Sequence, residues 1–257
     1  MKSILDESCV MKWKNTDTYK VLKQKIISNV VLVTEEIIDK YGAREISPFY
    51  ISKSLFTNQE LVDILNLFNL RSIKGGSYII INEYNKSLPI KWNEIKQQYV
   101  VSNEYKEHPV TGISWEGACF IAKLFDARLP YEKEWEIAAT SGNSNYMYSW
   151  GNEEPNSTLS NYEENVGSTS KVNSYPPNGL GIYDMCGNVD EWCLDGMRID
   201  ENTLSKYEKV VKGGCWYKSS DNMICSSKRS RWSKIGATGI GFRMVFERSI
   251  MDEWKTW

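Results

Sequence analysis

The run Ile26–Ile38 is strongly apolar but changes character half-way. Its first part, Ile-Ile-Ser-Asn-Val-Val-Leu-Val, is β-branched and reads as a strand. Its second part opens with Thr34 before Glu35 and Glu36, a helix N-cap with acids in the first turn. Ser47–Lys53 reads as another strand. Thr57 with Glu60 three residues on is a capping-box pattern. It predicts a helix from Asn58 to about Leu67, with Leu61, Ile64, Leu65 and Phe68 on one face. Gly75-Gly76 breaks the chain, and Tyr78–Ile81 is a short apolar run. Ser114 caps a further helix whose buried stripe is Ala118, Ile121, Ala122 and Phe125. Arg128–Ala139 starts the next helix, with Pro130 near its entry and acids in its first turns.

Beyond Gly142 the periodicity dissolves into a polar stretch running to Asn178. A loop this long in a compact domain is ordered by an ion, a ligand or aromatic anchors. Val210–Trp216 and Gly241–Phe246 read as closing strands. Short strands, amphipathic helices and long loops together predict an α+β fold with little regular secondary structure. Residues 1–45 are lysine-rich and are expected as an N-terminal extension or added elements, with the main domain over 46–257.

Composition narrows the function classes. Ten Trp and 15 Tyr point to aromatic packing across irregular segments. Formal charge is −2, from 31 Lys and Arg against 33 Asp and Glu, so nothing global favours nucleic acid or an anionic membrane. No apolar run approaches the ~20 residues that span a bilayer. The opening Met1–Ser8 carries charges where a signal peptide has its apolar centre, so a cytoplasmic location is expected. The six cysteines, Cys9, Cys119, Cys186, Cys193, Cys215 and Cys225, show no CxxC spacing and read as reduced, mostly buried thiols. Cys186 and Cys193 flank one motif and are candidates to meet in space. His108 is the single histidine, which leaves at most one for a metal cluster or a catalytic triad. It reads as a structural hydrogen-bonding residue.

That motif is Leu180–Trp192. Pro176, Pro177, Asn178 and Gly179 turn the chain before it. Gly187 can adopt backbone angles that point carbonyls inward. Asp184 and Glu191 supply two anionic oxygens, and such a bend suits a hard cation such as Ca²⁺. The alternative is a turn whose carboxylates face solvent or cap backbone amides. Trp192 and Tyr183 are large bodies able to pack beside it.

Taken in order, eight motifs form a pattern: His108-Pro-Val, Ser114-Trp115, Arg128-Leu-Pro with Glu134-Trp135-Glu136, Trp150-Gly-Asn, Pro177-Asn-Gly, Gly187-Asn-Val with Glu191-Trp192, Gly213-Gly214 and Gly241-Phe-Arg243. With Pro48-Phe-Tyr-Ile51 and Thr57-Asn58, the chain resembles the formylglycine-generating enzyme family, also called the sulfatase-modifying factor family, over roughly residues 46–247. The resemblance implies a formylglycine-generating-enzyme-like fold related to C-type lectins. It also implies Ca²⁺ held by the Asp184 side chain, the Gly187 and Val189 carbonyls and the Glu191 carboxylate. The family commonly has Asn where this chain has Asp184. A second family cation site would fall near Asn161, Tyr162, Glu164 and Val166, where the loop is too short to match.

The family's oxidising members carry two cysteines five positions apart after the Gly-Gly pair, and these bind Cu(I), a soft ion that prefers sulfur. Here those positions fall at Lys218 and near Met223. Lysine is a cation at neutral pH and a poor Cu(I) ligand. Cys215 stands where the family often has a serine, and Cys225 lies ten residues further on. Iron-dependent sulfoxide synthesis, the other chemistry on this fold, uses a separate His-rich domain that one histidine does not supply.

The leading expectation is therefore a non-catalytic binding protein with a protein partner, Cu(I) being disfavoured. Trp216, Tyr217, Arg229, Arg231 and Trp232 cluster in sequence around the lost site, and aromatic and arginine residues favour interface hot spots. Some degenerate relatives resemble immunity proteins against type VI secretion toxins or effectors. The alternatives are a copper- or thiol-dependent oxidase working through Cys215 and Cys225, and a carbohydrate-binding lectin-like module.

Overall fold

The computed structural model describes residues 12–68, 88–198 and 203–255. Gly75-Gly76, Tyr78–Ile81 and Cys9 lie outside them. The Ile26–Ile38 run divides among three elements. Ile26–Ser28 ends a helix, α1 (Asp17–Ser28), where the sequence pattern gives a strand. Burial of Tyr19, Leu22 and Ile26 on one face overrides the β-branched preference there. The strand proper is β1 (Val30–Val33). Thr34 then caps α2 (Glu35–Tyr41) by accepting from the Ile37 N–H, and Gly42 at φ 86° ends it.

The strand β2 (Phe49–Ser52) lies between β1 and β9 (Val245–Glu247), antiparallel to both. Helix α3 (Asn58–Leu67) carries the expected capping box: the Thr57 N–H donates to Glu60 at 2.7 Å, and the Glu60 N–H donates to Thr57 Oγ1 at 3.4 Å. A hairpin, β3 (Ile90–Asn93) and β4 (Gln98–Val101), follows without a clear sequence signal. Ser114 caps α4 (Trp115–Leu124), and Ala118, Ile121, Ala122 and Phe125 are all buried as the stripe requires. In the first turn of α5 (Glu132–Ala139), Glu134 accepts from the Tyr131 N–H and pairs with Arg128 at 2.6 Å.

The second main sheet runs β7 (Arg229–Trp232), β6 (Leu204–Lys212), β5 (Asp190–Arg198), β8 (Ile240–Gly241). Strand β6 stops at Lys212, short of the expected Trp216, because Gly213 and Gly214 turn the chain at φ 94° and 77°. Gly241–Phe246 is two strands rather than one, with the intervening stretch turning the Arg243 side chain inward. Helix α6 (Arg248–Lys255) closes the described chain and buries Met251 and Trp254.

Two apolar clusters fill the interior. One joins Trp13, Leu61, Phe125, Trp192 and Phe242; the other joins Phe49, Trp135, Ile182 and Val245. Trp13 and α1 thus pack into the main core, and β1 belongs to the sheet that β9 completes. Among the described residues, no helix is long and apolar enough to cross a membrane.

Candidate functional site

The bend before β5 is assembled by side chains that bond backbone. Asn178 Nδ2 donates to the Ala138 and Ala139 carbonyls at 2.7 and 3.0 Å, satisfying the open end of α5. Its Oδ1 accepts from the Leu180 and Ile182 N–H groups, each at 3.0 Å. Asp184, Gly187 and Asn188 all have positive φ, at 56°, 85° and 63°. At Gly187 a Cβ would collide with Ser160 Oγ and sit 2.6 Å from the Asn161 carbonyl, so the position admits only glycine. Asn188 pins the long loop: its Oδ1 accepts from the Ser170 N–H at 3.0 Å, and its N–H donates to the Asn161 carbonyl at 2.8 Å. The polar stretch to Asn178 is therefore ordered by the central segment itself.

The four residues expected to hold Ca²⁺ lie in this bend and the start of β5, and all four are buried. Asp184 Oδ2 accepts from the Asn173 N–H at 2.9 Å. Burial pushes its carboxyl up to about 6, against the Asn173 N–H and the Arg243 charge, which favour the anion. Glu191 is fully buried and takes the Arg243 guanidinium on both oxygens, at 2.6 Å to Nε and 2.8 Å to Nη2. Arg243 also donates to the carbonyls of Ser52 and Tyr183, at 3.0 and 2.9 Å. It ties β2, the bend and β5 together, a role that its place in the Gly241-Phe-Arg motif does not reveal. Asn161 Oδ1, where a second family cation site would fall, is buried without a hydrogen-bond partner.

Next to Glu191, Asp190 faces the other way and meets two cations. Lys218 Nζ lies 2.7 Å from Oδ2, and Arg229 Nη2 donates to Oδ1. Arg229 is further bound to the Asn222 carbonyl at 3.0 Å. Lys218, the residue that the resemblance sets against the first family cysteine, is thus half of an ion pair. Met223 is fully buried.

The described cysteines sit in different surroundings, and all but Cys119 are buried. Burial pushes the Cys215 thiol up to about 11, the Asp190 charge adding to it while Lys218 and a Tyr217 hydrogen bond oppose. Cys225 Sγ lies 3.8 Å from Cys186 Sγ, so the partner of Cys186 is Cys225 rather than Cys193. Cys193 is buried, its carbonyl accepting from Trp115 Nε1 at 2.8 Å. Among the described residues there is no disulfide, and no group of three His, Cys, Asp or Glu side chains is placed to hold a metal.

An open groove of about 890 Å³ runs between the β3–β4 hairpin and the loop after Gly214. Leu88, Val101 and Tyr105 line one side, and Thr169, Trp216 and Tyr217 the other. His108 sits behind it, Nδ1 2.9 Å from Thr169 Oγ1 and its ring against Tyr105, as a hydrogen-bonding residue. Burial and then Lys171 lower its pKa. The five residues expected as one interface cluster divide. Trp216 and Tyr217 face the groove, Arg229 is tied to Asp190, and Arg231 is exposed. Trp232, 59% exposed, stacks on Tyr207 on the edge of the sheet.

Comparison with known proteins accords with this geometry. The profile of the sulfatase-modifying factor enzyme 1-like domain matches residues 34–248, starting ahead of the boundary expected at 46. The serine/threonine-protein kinase pkn1 of Chlamydia pneumoniae is 35% identical over 176 residues, covering 62% of this chain and 28% of that protein. The inactive C-alpha-formylglycine-generating enzyme 2 of Bos taurus is 33% identical over 129 residues, covering 46% of this chain and 42% of that one. The chain spans less than half the length of these curated relatives. PvdO from Pseudomonas aeruginosa shares the fold, with a TM-score of 0.60 at 21% identity, over 78% of this chain and 81% of that one.

Proposed function

The chain belongs to the sulfatase-modifying factor enzyme 1-like family, and from that premise we propose that it is a non-catalytic, protein-binding member of it. One observation carries the reading: Lys218, at the first family cysteine position, spends its ammonium on Asp190 at 2.7 Å. A cation held there repels Cu(I) and offers no soft ligand. Cys215 is held as a thiol and Cys225 faces Cys186, so neither supplies the missing thiolate pair. A groove carries Trp216, Tyr217 and Tyr105 along it, and large aromatics in a concave surface favour macromolecular contacts. The partner proposed is a toxin or effector that the groove grips and masks.

Three measurements test this. Competition with a Cu(I) chelator should show no stoichiometric copper, and a cysteine-containing peptide should cause no oxygen uptake. A Cu(I) complex lost in Cys215→Ala would restore the oxidase reading. Growth protection of bacteria producing a candidate toxin should be lost in Tyr217→Glu and kept in Lys123→Glu, which lies away from the groove.

We further propose Ca²⁺ at Asp184, Gly187, Val189 and Glu191. The donors are all oxygens, which fits a hard cation. Arg243 already balances Glu191, so Asp184, buried and pushed up to about 6, is the carboxylate with charge to spare. The ion would supply structural positive charge to this bend.

A further inference from the structure

Two thiols from separate parts of the chain face each other inside the second apolar cluster. Cys186 comes from the bend before β5 and Cys225 from the loop leading into β7. Their sulfurs are 3.8 Å apart. A disulfide needs about 2.05 Å, so closing the bond asks for under about 2 Å of movement. Among the described residues, no other two cysteine sulfurs approach each other this way.

The backbone on both sides is fixed, so the sulfurs are held in each other's path. The Cys225 N–H donates to the Met147 carbonyl at 2.7 Å. The Gly187 N–H donates to the Gly213 carbonyl at 2.8 Å, and the Trp216 N–H donates to the Asn188 carbonyl at 3.0 Å. The Ser149 N–H points at Cys186 Sγ from 3.3 Å, a donor for sulfur that carries negative charge. In its thiol form, Cys186 donates instead to the Met223 carbonyl at 3.2 Å.

We propose that Cys186 and Cys225 form a reversible disulfide that staples the groove-wall loop, which carries Trp216 and Tyr217, to the bend before β5. A peroxide is the oxidant that fits, because it is water-sized and the pair is closed off beneath the turn at Tyr148–Gly151. The Cys186 thiolate attacks one peroxide oxygen, the O–O bond breaks, and the departing hydroxide takes up a proton as water. The resulting sulfenic acid is attacked by Cys225 sulfur. The S–S bond forms, hydroxide leaves the Cys186 sulfur, and the Cys225 proton converts it to a second water. Two electrons pass from the thiols to one peroxide, and a small thiol reverses the change by exchange. The staple stands whether or not the groove binds a partner. It closes a span of 39 residues, which restricts the unfolded chain.

The test uses the full chain, reduced, desalted and treated with one equivalent of hydrogen peroxide. Intact mass should fall by about 2 Da, the loss of two thiol hydrogens. A non-reducing peptide map should show Cys186 joined to Cys225, and dithiothreitol should restore the mass. Tm should rise by roughly 5–15 °C on oxidation. Cys193→Ser and Cys215→Ser should behave like the parent, and Cys225→Ser should lose both responses. No mass loss, a cross-link between other cysteines, or a cross-link without a Tm rise overturns the proposal. The map of the parent chain decides the pairing even if Cys225→Ser does not fold.

Discussion

Lys218 and Asp190 lie 2.7 Å apart, with Asp190 1% exposed and Arg229 on its other oxygen. Two cations on one buried carboxylate make that carboxylate indispensable. Asp190→Asn leaves Lys218 and Arg229 facing each other with no anion between them. We expect a loss of about 2–4 kcal/mol, read from urea unfolding. Lys218→Met should cost less, because Arg229 still neutralises Asp190.

The Glu191–Arg243 pair is fully buried on both sides. Removing one partner strands a charge in the interior, and Arg243→Met or Glu191→Leu should each cost about 3–5 kcal/mol. The double variant should lose less than the sum of the two, since no lone charge remains. Equilibrium denaturation of the three variants checks this.

Calcium should stabilise the chain through Asp184. At 100 times its Kd, a bound ion contributes about 2.7 kcal/mol, or roughly 5–10 °C in Tm. Asp184→Ala should remove most of that response, and Asp184→Asn should keep part of it by retaining an oxygen donor. A Tm that is unchanged by Ca²⁺ and by chelator would exclude the ion.

His108 should leave a signature in the pH dependence of stability. Burial first and Lys171 second place its folded pKa below the ordinary 6.5. The unfolded chain therefore binds the proton first as pH falls. The His108 contribution is complete above 6.5 and is lost as pH drops through the window beneath it. Because the ring is half-buried, the effect should stay under about 1 kcal/mol. His108→Gln should flatten the stability slope below 6.5 relative to the parent, measured by urea unfolding at each pH.

The helices were legible where a local signal marks them. Thr57 with Glu60, Ser114 and Thr34 each cap the helix that their spacing announces. The start of β5 was not legible. Asp190 and Glu191 look like an acidic turn because their partners lie far away in sequence: Lys218, Arg229 and Arg243, at separations of 28, 39 and 52 residues. A strand buried on both faces shows no alternation, and these ion pairs hide it further. The motif order did indicate the fold family. The meeting of Cys186 with Cys225 had no sequence signal, since it depends on how the loop after Gly214 folds back.

The position of β1 bears on how this domain can be cut or fused. The family profile begins at residue 34, one residue past the end of β1. A fragment trimmed to that boundary would uncover one whole edge of β2, from Phe49 to Ser52. Bare strand edges recruit other strands, so such a fragment should self-associate on size-exclusion chromatography where the longer chain does not. The first strand thus acts as a guard on the sheet.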